Sequence, residues 1–211
     1  MEDPRYIVIE GPIGVGKTSL AKFLSEELKA RLIFEKTEDN PFLKEFYLHP
    51  KQWAFQTQVF FLLSRYRQLE ALSQMDIFSK GMISDYFFPK DRIFAMITLD
   101  SGELALYQQI YNLLNPHVPI PDLVIYLQAS TPTLMQRIRQ RGREYEMEIS
   151  EDYLERLNQA YNQFFFHYTT SPLLVVQTGE IDFVKRRADL EDLIRQIRQM
   201  KKGTQYYVPG K

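Results

Sequence analysis

Tyr6-Ile7-Val8-Ile9-Glu10-Gly11-Pro12-Ile13-Gly14-Val15-Gly16-Lys17-Thr18-Ser19 decides the fold. Residues 6–9 are continuously apolar and read as a strand buried on both faces. Gly11 to Thr18 fits G-x-x-x-x-G-K-[ST] at every fixed position. Gly11, Gly14 and Gly16 let backbone N–H groups turn inward around phosphate oxygens. A helix beginning at Lys17 presents its positive end to the same anion. In that setting Lys17 reaches the β- and γ-phosphates and the Thr18 hydroxyl can ligate Mg²⁺; Ser19 completes the candidate nucleotide-binding set. A glycine-rich turn could match this pattern by chance. An apolar strand before the loop and an amphipathic helix after it make nucleotide binding the better reading. The loop alone leaves the acceptor open.

Outward from the loop, apolar strand-like runs alternate with helical patterns. Further strands are expected at 31–34, 82–84, 123–127 and 173–176. Helices are expected at 17–30, 41–48, 51–75, 101–114, 133–141, 151–169 and from about 184 onward. Ser101 and Thr131 read as N-caps, with Pro132 at the first helical position. Apolar strands joined by helical crossovers predict an α/β fold with a parallel sheet covered on both faces, and ligands bind at the carboxyl ends of such strands. The pattern predicts a single domain over residues 1–200. The tail 201–211 reads as frayed and receives no function. No internal repeat or long linker is visible.

Composition narrows the classes. With 211 residues the chain can bury one substantial core. The net charge of −1 gives no bulk attraction to nucleic acid or an anionic membrane. No run approaches the ~18 apolar residues of a membrane helix. The absence of cysteine excludes disulfides, thiol chemistry and cysteine-ligated metals. His49, His117 and His167 are scattered and suggest no zinc site. The acidic start and short apolar run at the N-terminus do not read as a signal peptide, so a cytoplasmic protein is expected.

Charged residues gather where chemistry would need them. Glu35 follows the second strand and Asp85 the third, which places both near the phosphate loop. A carboxylate at Glu35 could take the proton from an attacking hydroxyl; Asp85 could hold Mg²⁺ directly or through water. Arg137, Arg139, Arg141 and Arg143 lie close together, with Arg137 and Arg141 on one helix face. Beside a phosphate loop they read as an arginine-rich lid over the transferring phosphate; otherwise they would be a solvated basic stripe offset by Glu144, Glu146 and Glu148. On the long helix Gln58 and Arg65 are seven residues apart and share a face with Phe61 and Leu62. An amide and a guanidinium among aromatics suit a flat, hydrogen-bonding ring such as a nucleobase.

These residues together resemble the deoxyribonucleoside kinase family, from Ile7 to about Val184. The match rests on the GPIGVGKT loop, Glu35, the segment from Tyr47 through Trp53 to Gln58 and Arg65, Asp91-Arg92, RIRQRGRE at 137–144, and Asp182-Phe183. The resemblance implies a P-loop NTPase-type five-stranded parallel sheet flanked by helices. It implies transfer of the ATP γ-phosphate to a deoxyribonucleoside 5′-hydroxyl, with Mg²⁺, in a protein that is commonly a homodimer. Glu35 would activate the 5′-hydroxyl. Tyr47 and Glu146 would hold the sugar 3′-hydroxyl, and Gln58, Arg65 and Asp91 would contact the base. Arg137, Arg141 and Arg143 would form the lid, and Phe183 with Arg141 would sandwich the adenine. The Arg65–Asp91 pair favours a purine or cytosine base over thymine.

One position departs from the family pattern. An acidic residue, arginine and serine usually follow the third strand, and here the run is Asp85-Tyr86-Phe87. Tyrosine cannot neutralise phosphate charge, so Lys90 or a lid arginine compensates, or transfer is slow. Two other readings stay open on sequence. A nucleoside monophosphate kinase shares the core and lid but needs extra basic residues for the acceptor phosphate. A nucleotide-binding regulator without transferase activity would explain Tyr86.

Overall fold

The computed structural model describes residues 5–35, 39–73, 81–115, 118–179, 181 and 186–208. β1 (Tyr6–Glu10) is buried at all five positions and runs directly into the phosphate loop. α1 (Lys17–Leu28) leaves that loop, and β2 (Arg31–Ile33) follows it. α2 (Leu43–Leu48) and α3 (Pro50–Ser73) lead to β3 (Met82–Ser84). α4 (Lys90–Thr98) and α5 (Ser101–Leu114) precede β4 (Leu123–Gln128). α6 (Thr131–Arg141), a single 3₁₀ turn (Glu144–Glu146) and α7 (Glu151–Phe166) come next. β5 (Leu173–Gln177), α8 (Arg187–Gln199) and β6 (Thr204–Tyr207) complete the chain.

The strands form one sheet in the order β2-β3-β1-β4-β5-β6, and every pairing is parallel. Ile7 of β1 sits between Ile83 of β3 and Leu123 of β4. Successive positions of β4 are buried because helices cover both faces of the sheet, which is why its apolar run is continuous and not alternating. The strand after β1 is laid down on the β3 side, whereas β4 lies on the other. The crevice at the carboxyl end of β1 is therefore where the topology leaves room for a ligand.

The expected α/β architecture is present with one correction: the sheet has six strands and not five. The extra strand, β6, falls in the segment read from sequence as frayed. Thr204, Gln205 and Tyr206 are exposed, so no apolar run marks them as a strand. They are ordered by the backbone ladder from Leu173↔Thr204 to Val176↔Tyr207, and the Tyr207 hydroxyl donates to Asp192 of α8. Two caps also move by one residue. Asp100, not Ser101, caps α5 through a reciprocal capping box with Glu103. Ser130, not Thr131, caps α6 by accepting from the Thr133 N–H. α4 has no counterpart in the sequence reading. Two of its four buried residues, Lys90 and Asp91, are charged, so its apolar period is too weak to see.

α3 carries the feature that positions the site. Ala54, Thr57, Gln58, Leu62, Arg65 and Leu69 are its buried residues, at the spacing of one helical face. Gln58 and Arg65 thus occupy buried positions on one stripe of a helix that packs against α2, α4 and α5. Among the described residues no helix is long and apolar enough to cross a membrane.

Candidate active site

The carboxyl ends of β1, β2 and β3 open into a cavity of about 660 Å³. Gly14, Gly16, Lys17, Thr18 and Ser19 form its floor. Gly14 has φ 85°, and a Cβ there would lie 2.9 Å from the Leu134 carbonyl oxygen of α6. Only glycine allows the loop to curl this tightly against the helix. A Cβ on Gly11 would come within 2.5 Å of the Leu127 carbonyl oxygen, so the loop is pressed against β4 as well. Lys17 Nζ donates to the Gly11 and Pro12 carbonyls at 2.6 and 3.2 Å. Burial lowers the Lys17 pKa, and nearby Glu10 works in the opposite direction.

Asp85 ties the loop to the neighbouring strand end. Its Oδ2 accepts from the Thr18 hydroxyl at 2.6 Å, and its Oδ1 from the Glu35 N–H at 2.7 Å. Thr18 and Asp85 thus present a hydroxyl and a carboxylate oxygen beside the phosphate loop. Among the described residues no group of three His, Cys, Asp or Glu side chains forms a metal cage.

Glu35 is the centre of a buried charge network. One carboxylate oxygen pairs with Arg65, and the other accepts from Lys90 Nζ at 2.9 Å. Lys90 Nζ also lies 3.7 Å from Glu10 Oε2. Glu10 is fully buried and accepts from the Gly11 N–H, the Phe87 N–H and the Tyr161 hydroxyl at 2.8, 3.0 and 3.1 Å. Burial alone would raise the Glu35 pKa, but Arg65 and Lys90 outweigh it and hold the carboxyl well below its ordinary range. Burial likewise works against the charges of Arg65 and Lys90, and the surrounding carboxylates hold both protonated.

The opposite wall gathers the residues that the sequence placed at a flat ring. Gln58, Phe61 and Arg65 line it, and the Arg65 guanidinium lies 4.5 Å from the Phe61 ring centroid. Asp91 departs from its expected place. It is buried behind Arg65, pairs with the guanidinium and does not line the cavity. Burial pushes the Asp91 carboxyl up to about 7, against the opposing pull of Arg65 and Lys90.

Tyr47 and Glu146 close a third side, with Tyr47 stacked on Tyr145. Arg141 reaches Glu146 at 2.6 Å and Arg143 does so at 3.4 Å. Gly142, at φ 67°, makes the left-handed cap between them. Both arginines line the cavity, but Arg137 does not. It donates to the Val15 carbonyl of the phosphate loop at 3.2 Å and to the Thr178 carbonyl at 2.7 Å, which braces the loop. Phe183, expected against the adenine, lies outside the described residues. Tyr86 is fully buried away from the cavity, and its hydroxyl has no hydrogen-bond partner among the described residues. Glu10 was missed by the sequence reading. Its signal was a lone carboxylate ending an apolar strand at the ligand-binding edge.

A phosphate loop, a flanking carboxylate pair and arginines facing one cavity define a P-loop phosphotransferase. The family model for deoxynucleoside kinases matches residues 7–202. A deoxyguanosine kinase of Bacillus subtilis (strain 168) is 40% identical over 206 residues, covering 95% of this chain and 99% of that protein. The deoxyadenosine/deoxycytidine kinase of the same organism is 28% identical, covering 90% of each chain. A deoxyadenosine kinase from M. mycoides, solved with dCMP and dCDP, superposes with a TM-score of 0.80 at 29% identity, covering 92% of this chain and 99% of that one. The same enzyme has been solved with bound dATP. The chain belongs to the deoxynucleoside kinase family, the ATP-dependent phosphotransferases that act on deoxynucleosides.

Proposed function

We propose that the chain transfers the ATP γ-phosphate to the 5′-hydroxyl of a deoxyribonucleoside bearing a purine or cytosine base, with deoxyguanosine first and thymidine last. The observation that carries this reading is Glu35. Its carboxylate borders the phosphate loop on one side and the Gln58–Arg65 wall on the other, within one cavity. A nucleoside lying on that wall, its sugar between Tyr47 and Glu146, would direct its 5′-hydroxyl at the phosphate loop. Glu35 then takes the hydroxyl proton as the oxygen attacks phosphorus. Catalysis is mostly positioning and charge stabilisation, since phosphoryl transfer asks little covalent work of the protein.

Lys17 and the loop N–H groups hold the donor phosphates. Thr18 and Asp85 fit a Mg²⁺ ion, which needs one or two protein oxygens and completes its shell with phosphates and water. Bound there, the ion would offset charge on the donor phosphates. Arg141 and Arg143 line the mouth as the lid. A bound monophosphate would face Glu35 at close range, which disfavours the monophosphate kinase alternative.

The base preference follows from the wall. Arg65 offers only donors, which suit the O6 and N7 acceptors of guanine. The Gln58 amide offers both a donor and an acceptor. Thymine presents one acceptor where guanine presents two. Asp91 works from behind, keeping Arg65 charged and in place. The similarity to a deoxyguanosine kinase supports the same order. A homodimer is part of this proposal, supported by family resemblance and by the exposed apolar side chains Met96 on α4 and Leu106 and Leu113 on α5. Radiolabelled ATP assayed against the four deoxyribonucleosides and their monophosphates tests the acceptor. Thymidine as the best substrate, or transfer only to monophosphates, overturns it.

A further inference from the structure

We propose that Lys90 is a catalytic residue that supplies the transition-state cation missing at position 86. The inference rests on the phosphotransfer reading above and adds a residue to it. Tyr86 stands where the family resemblance implies an arginine; it is fully buried and does not line the cavity. Lys90 follows after a short turn, at the start of α4. Its side chain borders the cavity and its ammonium sits 2.9 Å from the Glu35 carboxylate. The second contact, 3.7 Å to Glu10 Oε2, anchors it. Glu10 is itself fixed by three donors, so the ammonium is held between a rigid buried carboxylate and the acceptor side of the site. Lys17 approaches the same Glu10 from the phosphate loop, 3.9 Å away at Oε1. Glu10 therefore sets the two lysines around one point, the place where donor phosphate and acceptor hydroxyl meet.

The charge balance supports this role. Three cations, Lys17, Arg65 and Lys90, lie among three carboxylates, Glu10, Glu35 and Asp91. Arg65 is spanned between Glu35 and Asp91. Lys90 is the cation shared between the anchor and the catalytic carboxylate. In the transfer step the O5′–H bond breaks and its proton passes to Glu35. The O5′–phosphorus bond forms, and the bond from the γ-phosphorus to the bridging oxygen breaks, with the electron pair leaving on ADP. As Glu35 gains its proton it releases its hold on the Lys90 ammonium, which then faces the oxygens of the transferring phosphoryl group. Lys90 makes and breaks no covalent bond. It first keeps Glu35 ionised and then stabilises the charge that develops beside it.

The test compares Lys90→Met with Lys90→Arg in the full chain. Lys90→Met should lower kcat by ~10²–10³-fold, the scale of one lost transition-state donor. Binding of a fluorescent ATP analogue should stay within about threefold, because charge-assisted contacts from Lys17 and the loop remain. Loss of one of the two cations beside Glu35 raises its pKa, so the acidic limb of kcat/KM should move to higher pH. Lys90→Arg keeps the charge and should retain at least about a tenth of wild-type turnover, a lysine-for-arginine exchange being imperfect in geometry. Should Lys90→Met fail to fold, as read by its thermal melt, Lys90→Gln, which keeps a polar donor beside Glu35 without the charge, is read the same way. Turnover of the methionine variant within about fivefold of wild type overturns the proposal. So does an arginine variant as inactive as the methionine one, or an acidic limb that does not move. Wild-type transfer to a deoxyribonucleoside, measured alongside, separates failure of this assignment from failure of the acceptor reading.

Discussion

Replacing Glu35 with glutamine keeps the side-chain shape and removes its basicity. In the wild type the carboxylate accepts from Lys90 at 2.9 Å and pairs with Arg65. An amide can accept from one of these cations through its oxygen, but its NH₂ group faces the other, so one contact turns repulsive. A positioned general base contributes about 10²–10⁴-fold. At about 1.36 kcal/mol per decade this is roughly 2.7–5.4 kcal/mol of barrier. The donor site should be spared, because Lys17, Thr18 and the loop N–H groups do not bond the Glu35 carboxylate. Steady-state kinetics with saturating ATP, paired with equilibrium binding of an ATP analogue, reads both effects. The pH dependence adds a sign. Arg65 and Lys90 depress the Glu35 pKa below its ordinary 4.5 despite burial. The stability this ionisation contributes is present above about pH 4.5 and is lost only as pH falls toward the depressed folded value. Wild-type stability should therefore show no loss from this group between pH 5 and pH 7, on the unperturbed carboxylate scale. A kcat loss under about fivefold would remove Glu35 as the base.

Three further outcomes follow from the same geometry. Lys17→Ala should abolish transfer and weaken ATP binding, since a charge-assisted phosphate contact is lost; normal turnover in a radiolabel assay would reject the phosphate-loop reading. The double variant Arg65→Met, Asp91→Ala should gain on thymidine relative to deoxyguanosine by about 5–150-fold in kcat/KM, the scale of one buried polar mismatch; an equal loss on every nucleoside would show a purely structural pair. A chain ending at Lys202 lacks β6 and should lose about 1–3 kcal/mol, or roughly 2–4 °C in Tm per kcal/mol, by calorimetry. It should keep its kcat, because β6 lies three strands from β1.

What the sequence revealed, and what it hid, divides along physical lines. The strand at 6–9, the glycine spacing at 11–16 and the run at 123–127 are local signals, fixed by backbone sterics and by burial on both faces. They were readable without tertiary knowledge. Glu35 and Asp85 were readable because strand ends on a parallel sheet have one functional side. β6 was hidden because its residues 204–206 are exposed and its order comes from pairing with β5, a neighbour remote in sequence. Asp91 was assigned to the base because resemblance gives a position and not a direction. The first turn of α4 turns its carboxylate to the back of Arg65. Arg137 follows the same logic: its place in a run of arginines suggested a lid, but α6 aims it at the Val15 carbonyl. Phe183 lies outside the described residues.

The Arg65 guanidinium grips Glu35 with one nitrogen and Asp91 with another, and also forms part of the wall proposed to receive the nucleobase. On the proposed reading, recognition and reaction would share this one side chain. On that reading, a base that fits would compete for the guanidinium and so change the charge felt by Glu35. A base that fits badly would leave Glu35 paired with Arg65 and weakly basic, even with the sugar correctly seated. Discrimination should then register as slow turnover of bound substrate as well as weak binding. Proofreading of the acceptor would be wired into the chemical step itself.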